Sequence, residues 1–200
     1  ISDGYLRPFC WRGSEMMAIS AQETTIHVGV AAWQWPSYFD PETKMKGITL
    51  DIADWRRPSP ESAPVQAKAA GLYMICTLAK HTAERKGFQD ALMLDYRGYV
   101  AEATGANIFF LMNDGKIHTP KADCFLDGIT RRTVIELAKQ AGLEVVERHI
   151  LPDELENARE AFLTGTAAEI TPISKIGDYN FKPDTACRTL VEAYTNVTNS

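Results

Sequence analysis

Two segments near the start of the chain alternate between apolar and polar residues in the way that β-strands do. They are residues 5–12, "YLRPFCWR", and residues 23–33, "ETTIHVGVAAW", and both are rich in β-branched and aromatic side chains. Residues 33–47 contain two prolines, two tryptophans and two other aromatic residues, which predicts an unusually aromatic loop. Residues 48–66 begin as a strand and continue as a Pro- and Ser-rich linker, which is the best candidate for an internal boundary.

The pattern takes a helical period over residues 69–85, and Gly87 ends that segment. Short apolar segments then predict four strands, at residues 91–95, 99–103, 108–112 and 116–119. The last two are joined by "NDG", which is typical of a hairpin turn.

The clearest helix follows in "DGITRRTVIELAKQAG", which ends at Gly142. Its apolar residues recur at the i, i+3, i+4 and i+7 positions, at Val134, Leu137, Ala138 and Ala141. Thr130 is expected as the N-cap or in the first turn. Later segments predict strands at 144–149 and 161–164, a short helix at 152–157 and a last helix at 185–196. Because strands, hairpins and helices are mixed, the pattern favours an α+β fold.

Composition and charge restrict the classes of partner. The chain has 200 residues, of which 45% are hydrophobic and 24% charged, and a net charge of -5. This negative charge gives no electrostatic reason to expect nucleic acid or an anionic membrane surface as partner. No apolar run approaches the roughly 20 residues that a membrane-spanning helix needs.

Neither cysteines nor histidines show the spacing of a metal site. The cysteines are Cys10, Cys76, Cys124 and Cys187, and the histidines are His27, His81, His118 and His149. The cysteines read as reduced thiols of a cytoplasmic protein, and we expect no metal. The chain starts with "ISDGYLRPF", without Met and already in a strand pattern. We therefore expect residue 1 not to be the start of the whole protein.

Lys68 stands among small apolar neighbours in "PVQAKAAGLY". Two interpretations apply to such a lysine. Its amine can reach solvent from the end of a helix, or it can be partly desolvated, with a lowered pKa, and act as a nucleophile toward a carbonyl group.

Two short segments resemble anion-binding cradles. The first is Gly128-Ile129-Thr130, where free backbone N–H groups and the helix dipole favour phosphate and Gly128 allows a ligand to approach closely. The second is Thr164-Gly165-Thr166-Ala167-Ala168, a turn of small residues after a strand. Each is weak alone, since a glycine before a helix is usually only a turn. Together they suggest a ligand with two anionic ends, or a phosphorylated cofactor and a carboxylate substrate.

Glu102 lies in an apolar strand before a glycine-containing turn. It either faces solvent on an alternating strand or is buried and needs a partner. An amine, a carboxylate and two anion cradles are what pyridoxal phosphate requires. The lysine binds the cofactor covalently, the acid keeps the pyridine nitrogen protonated, and a cradle holds the phosphate.

Four motifs occur together in an order and spacing similar to those of the class IV (fold type IV) aminotransferases, most of all the branched-chain amino acid aminotransferases. They are "QAKAAGLY", "LDYRGYVAEATGANIFF", "LDGITRRTVIELAKQAG" and "FLTGTAAEITPI". The resemblance covers nearly the whole chain and favours the nucleophilic interpretation of Lys68. It implies a two-domain enzyme with the cofactor at the domain interface. Residues 1–55 would end the small domain and lead out of it, and residues 56–200 would form the large cofactor-binding domain.

The resemblance also assigns the cofactor site. Lys68 corresponds to the lysine that binds pyridoxal 5'-phosphate and later moves the proton, Glu102 to the acid at the pyridinium nitrogen, and Tyr73 to the tyrosine at the phenolic oxygen. The phosphate positions are Gly128, Ile129, Thr130, Gly165 and Thr166. A phosphate-binding arginine of the family, with further pocket aromatics, belongs upstream of residue 1.

The resemblance places the substrate on both parts of the chain. Tyr5 would line the pocket, and Arg7 would be available to the side-chain carboxylate of 2-oxoglutarate. Trp35 and Tyr38 would contribute to the apolar pocket. The backbone of Thr166 and Ala167 would receive the α-carboxylate.

The function that this resemblance implies is transamination between L-leucine, L-isoleucine or L-valine and 2-oxoglutarate, in a homodimer or larger homo-oligomer. Alternatives within the fold are a D-amino acid aminotransferase, an (R)-selective amine transaminase and an aminodeoxychorismate lyase. An alternative of another class is a cofactor-binding module without catalysis. Such a module would not need Lys68.

Overall fold

The first two strands of the chain form an antiparallel hairpin in the computed structural model, which describes residues 4–34 and 45–198. The chain divides into two units, Ile1–Tyr38 and Phe39–Ser200, and the hairpin belongs to the first. Its strands are Tyr5–Arg12 (β1) and Ile26–Trp33 (β2), which confirms both predicted strands.

The two faces of this hairpin differ in chemistry, since directly paired residues share a face. On one face Tyr5 lies opposite Trp33, and their ring centroids are 5.1 Å apart. The Arg7 guanidinium lies 5.3 Å from the ring centroid of Tyr5 and 5.5 Å from that of Trp33. The other face carries exposed aliphatic side chains, among them Leu6, Ile26, Val28 and Val30.

The larger unit is built on a mixed sheet, to which the described residues contribute nine strands. These strands are Ile48–Arg57 (β3), Asp90–Asp95 (β4), Val100–Ala103 (β5), Asn107–Met112 (β6), Ile117–Pro120 (β7), Val145–Arg148 (β8), Ala158–Gly165 (β9), Glu169–Ile176 (β10) and Tyr179–Asn180 (β11). Their order is β5-β4-β3-β10-β9-β6-β7-β8, and β11 pairs with β10. β3 is parallel to β4 and β10, β7 is parallel to β8, and the other pairs are antiparallel.

Helices cover this sheet. They are Met74–Arg85 (α1), Ile129–Gln140 (α2) and Thr185–Thr198 (α3), with 3₁₀ turns at Ala70–Tyr73 and Pro152–Asn157. Strand β6 is buried on both faces, which explains its continuous apolar sequence. Ile108 and Phe110 pack in one core cluster, whereas Phe109 packs with Phe162 and α2 in another. The α+β prediction is confirmed.

The sheet curls, and the curl brings β5 back toward β6 and β8. The Val100 N–H donates to the Ile150 carbonyl at 2.8 Å, just after β8. The Ala103 N–H donates to the Ala106 carbonyl at 2.8 Å across the turn before β6. The start of β6 therefore lies beside the end of β5, which carries Glu102.

The structure differs from the predicted elements in two places. The helix predicted over 69–85 begins as a 3₁₀ turn, and Lys68 precedes it in a loop. The sequence pattern does not predict strands β10 and β11. Proline is uncommon inside a strand, so Pro172 and the turn before it argue against a strand at β10. In the structure, pairing of β10 with β3 starts only after Pro172. The domain boundary near residue 55 stays a prediction, and β3, which spans it, pairs inside the large sheet. Within residues 4–34 and 45–198, no helix has the length and apolar character of a membrane span.

Candidate active site

A buried carboxylate lies at the end of β5. Glu102 is 9% exposed, which decides against the solvent-facing alternative. Its Oε1 atom is 3.3 Å from Arg57 Nε, at the end of β3. Asn107 Nδ2, at the start of β6, donates to its Oε2 atom at 3.3 Å. The pairing of β4 with both β3 and β5 brings Arg57 and Glu102 together, and the short turn between β5 and β6 adds Asn107.

The electrostatics of this carboxylate are dominated by its burial. Burial raises the pKa of Glu102 from an ordinary value of 4.5 to about 8, against the opposing effect of the positive charges of Arg57 and Lys68. A further cation at this carboxylate, such as a protonated ring nitrogen, would favour its ionised form. The site is therefore suited to hold a cationic group of a ligand.

Lys68 lies in the loop before the 3₁₀ turn, and that turn brings Tyr73 back to it. The Lys68 Nζ atom is 5.7 Å from the centroid of the Tyr73 ring. The Lys68 side chain is exposed, so its amine reaches solvent in this chain, which agrees with the first of the two interpretations of its sequence context. The neighbours are alanines in a loop, too short to cover the long lysine side chain.

The N-terminus of α2 forms the first predicted anion cradle. Gly128 is the N-cap, Thr130 is buried in the first turn, and the Ile129 side chain is 76% exposed. A Cβ atom on Gly128 would lie 2.4 Å from Asn107 Oδ1, so the absence of a side chain there makes room for Asn107.

The second predicted cradle adjoins the first. Gly165 ends β9, and Thr166 and Ala167 lie in the turn that follows. Asn107 pairs in register with Thr164, and a Cβ atom on Gly165 would be 3.5 Å from that of Ala106. Both cradles therefore flank the start of β6.

Thr164 supplies an unused polar atom near this point. Its Oγ1 atom is buried and has no hydrogen-bond partner among the described residues. Buried hydroxyl groups in proteins are normally paired, so a partner from outside the described residues is expected.

The predicted substrate residues are only partly described. Tyr5 and Arg7 lie on one face of the β1–β2 hairpin, where Tyr5 and Trp33 flank the Arg7 guanidinium. Trp35 and Tyr38 lie outside the described residues.

Arg57 and Asn107 were not identified from the sequence. Each stands at the end of an apolar segment, where a polar residue is common. The sequence does show these two polar residues, at the end of β3 and at the start of β6. The strand order is needed to see that both lie beside Glu102.

A separate cluster lies beside the β4–β5 turn. Asp95, Asp123 and Cys124 have ligand atoms close enough together for a metal ion. Arg97 Nη2, however, donates to Asp95 Oδ2 at 2.7 Å and to Asp123 Oδ1 at 2.8 Å. The cation between these carboxylates is thus an arginine, and the contact anchors the loop that leads to α2.

The family model of amino-transferase class IV matches residues 1–176. The chain belongs to this family. A probable branched-chain-amino-acid aminotransferase of Rickettsia felis is 43% identical over 176 residues, which are 88% of this chain and 59% of that protein. The branched-chain-amino-acid aminotransferase of Pseudomonas aeruginosa is 41% identical over 176 residues, which are 88% of this chain and 57% of that protein. The chain thus spans about three fifths of the length of these relatives.

Solved structures of aminotransferases share the fold. The branched-chain aminotransferase of Thermoproteus uzoniensis with norvaline superposes with a TM-score of 0.90 at 34% identity, over 97% of this chain and 64% of that one. An aminotransferase from Brucella abortus bound to the cofactor pyridoxal phosphate gives a TM-score of 0.85 at 30% identity, over 98% of this chain and 69% of that one. The similarity in fold therefore extends over almost the whole chain.

Proposed function

We propose that the whole protein is a pyridoxal-phosphate-dependent branched-chain amino acid aminotransferase. It transfers the amino group of L-leucine, L-isoleucine or L-valine to 2-oxoglutarate and gives branched 2-oxo acids and L-glutamate. The names of the relatives from Rickettsia felis and Pseudomonas aeruginosa support this activity. The observation that carries the proposal is that Glu102 and the two anion cradles all lie beside the start of β6.

The residues present fit the cofactor. A second cation beside Arg57 would further favour the ionised form of the buried Glu102 carboxylate, and a pyridinium nitrogen is one. The N-terminus of α2 offers backbone N–H groups to a phosphate, and Thr166 follows the adjoining strand. The structure of the Brucella abortus relative contains pyridoxal phosphate, which supports the same choice here.

When bound, pyridoxal phosphate supplies an electrophilic carbon and an electron-withdrawing ring. The Lys68 Nζ atom is the nucleophile that holds the cofactor, and after release it takes the proton from the substrate Cα. Glu102 keeps the ring nitrogen protonated. Tyr73, whose ring lies beside Lys68, donates to the phenolic oxygen.

The substrate roles that we propose follow from the family resemblance. The backbone N–H groups of Thr166 and Ala167 would receive the α-carboxylate, and the apolar side chain is assigned to Tyr5, Trp35 and Tyr38. Arg7, which is already flanked by aromatic rings, binds the second carboxylate of 2-oxoglutarate. An apolar pocket with one arginine accepts both kinds of substrate.

We further propose that the enzyme is cytoplasmic and forms a homodimer or a larger homo-oligomer. The four cysteines are free thiols, which agrees with a cytoplasmic location. The oligomer is an expectation from the family and is measured by light scattering of the full-length protein.

The test is an absorption spectrum of the full-length protein with pyridoxal phosphate, before and after addition of L-leucine. The wild type is compared with Lys68→Ala, and Lys139→Ala serves as control because Lys139 is an exposed lysine of α2. We expect a visible band that L-leucine bleaches, present in the control and absent from Lys68→Ala. Turnover with 2-oxoglutarate as acceptor then tests the second substrate.

Other results would select an alternative. A band that responds to D-alanine or an (R)-amine but not to L-leucine would indicate another enzyme of the fold. Pyruvate release without an acceptor oxo acid would indicate a lyase. The same cofactor binding with and without Lys68 would indicate a module without catalysis.

A further inference from the structure

Asn107 contacts both halves of the candidate cofactor site. Its Nδ2 atom donates to Glu102 Oε2 at 3.3 Å and to the Leu126 carbonyl at 2.9 Å. Its Oδ1 atom accepts from the Gly128 N–H at 3.2 Å. The side chain is 5% exposed, so water does not replace these bonds. One amide thus joins the buried acid to the N-terminus of α2.

An amide suits this arrangement. Its Nδ2 group donates to a carboxylate on one side, and its Oδ1 atom accepts from a backbone N–H on the other. The absence of a side chain at Gly128 permits the same contact, because a Cβ atom there would lie 2.4 Å from Asn107 Oδ1. The residue pair Asn107 and Gly128 is therefore a close steric and hydrogen-bonded fit.

We propose that Asn107 is a positioning residue that sets the orientation of the Glu102 carboxylate relative to the phosphate cradle at the N-terminus of α2. This inference rests on the proposed function, in which Glu102 and the cradle hold opposite ends of one rigid cofactor. A rigid cofactor requires a fixed distance between the two protein groups that bind its ends. A side chain that bonds both groups keeps that distance in the protein before the cofactor binds.

The experiment uses full-length holoenzyme with four changes: Asn107→Asp, Glu102→Gln, the double variant and Thr119→Val. Asn107→Asp keeps an acceptor for the Gly128 N–H but places an anionic oxygen against Glu102. Thr119→Val is the matched control, because Thr119 is also buried in this sheet and its hydroxyl donates to the Ile108 carbonyl at 2.8 Å. The readouts are kcat, KM for L-leucine and the pH dependence of the visible band of the bound cofactor.

We expect Asn107→Asp to lower kcat about a hundredfold with little change in KM, and to shift the pH dependence of the band. Thr119→Val should lower thermal stability and leave kcat and the band within about twofold of the wild type. If Asn107 acts through Glu102, adding Asn107→Asp to Glu102→Gln should lower kcat by no more than about threefold further.

Two results would overturn the inference. One is a loss of kcat in Asn107→Asp no greater than that in Thr119→Val. The other is an equal loss with and without Glu102, which would mean that the amide only supports the fold. Either result leaves a wild-type protein with a normal Lys68-dependent band, and the proposed function stands. A wild type without that band would overturn both the proposed function and this inference.

Discussion

Arg57 and Glu102 are in buried contact, and the Nε atom of the arginine lies 3.3 Å from Oε1 of the glutamate. Arg57 is 4% exposed, and its Nη1 atom also donates to the Leu72 carbonyl at 3.4 Å, in the 3₁₀ turn that follows Lys68. The arginine thus connects the acid to the segment that carries the proposed nucleophile. Removing Glu102 would leave the buried Arg57 guanidinium without this partner.

Arg57→Met should shift the pH dependence of activity upward. The positive charge of Arg57 lowers the pKa of Glu102 against the larger effect of burial, so its removal raises that pKa and moves the ionisation of Glu102 to higher pH. The measurement is kcat/KM for L-leucine from acidic to alkaline pH. Arg56→Met is the control, since Arg56 is the exposed neighbour, and equal profiles for the two variants would contradict the prediction.

Glu102→Gln should change how the stability of the cofactor-free protein depends on pH. Because the folded-state pKa of Glu102 is raised from 4.5 to about 8, the native protein keeps a proton that the unfolded chain releases. Stability contributed by this proton is complete below pH 4.5 and is lost as the pH rises toward 8. The loss is on the order of 5 kcal/mol at most.

The measurement is thermal unfolding of the wild type and Glu102→Gln at about pH 5 and about pH 8. The wild type should lose more stability over this range than the variant. Glu192→Gln is the control, because Glu192 is exposed on α3. Parallel curves for the wild type and Glu102→Gln would mean that Glu102 is already ionised at the lower pH.

Local patterns predicted most elements of the fold, because alternation and helical period act within single segments. The strands β1 and β2, the helix α2 and the cradle at its start follow from such patterns. Strand β10 was missed because Pro172 interrupts it, and its pairing on both sides is visible only in the sheet.

Long-range contacts of the site could not be predicted in this way. Glu102 was found from its unusual place in an apolar strand, and Lys68 from its neighbours. Their partners Arg57 and Asn107 depend on the strand order and on the curl of the sheet. The sequence neighbours of Lys68 left both a solvated and a desolvated position open, since they do not show what packs above a loop.

Gly128→Ala should destabilise the start of α2. The new Cβ atom would lie 2.4 Å from Asn107 Oδ1, so the amide must move away from the Gly128 N–H and from Glu102. Overpacking of this kind costs about 1–3 kcal/mol. Chemical denaturation measures the loss, and Gly71→Ala is the control because a Cβ atom there meets nothing within 4 Å. If Asn107→Ala is made together with Gly128→Ala, the obstacle is gone, and the glycine change should then cost less than it does alone.

Glu160→Ala should lower the stability of the fold and leave the cofactor site unchanged. The Glu160 carboxylate accepts hydrogen bonds from three backbone N–H groups at the start of α3, those of Asp184, Ala186 and Cys187. Glu160 thus caps the N-terminus of α3 from strand β9, and its negative charge interacts favourably with the positive end of the helix dipole. Losing these bonds should lower the free energy of unfolding by about 3 kcal/mol.

Glu160 lies on β9, the strand that ends in the second cradle, yet its bonds go to α3 rather than to Asn107 or Glu102. At a temperature where Glu160→Ala remains folded, the visible band of the bound cofactor and its pH dependence should therefore match those of the wild type. Chemical denaturation and absorption spectra of the same samples test the two halves of this prediction. A changed pH dependence of the band in Glu160→Ala would mean that the packing of α3 reaches the Glu102 carboxylate, and the site would then extend further through the sheet than its direct hydrogen bonds indicate.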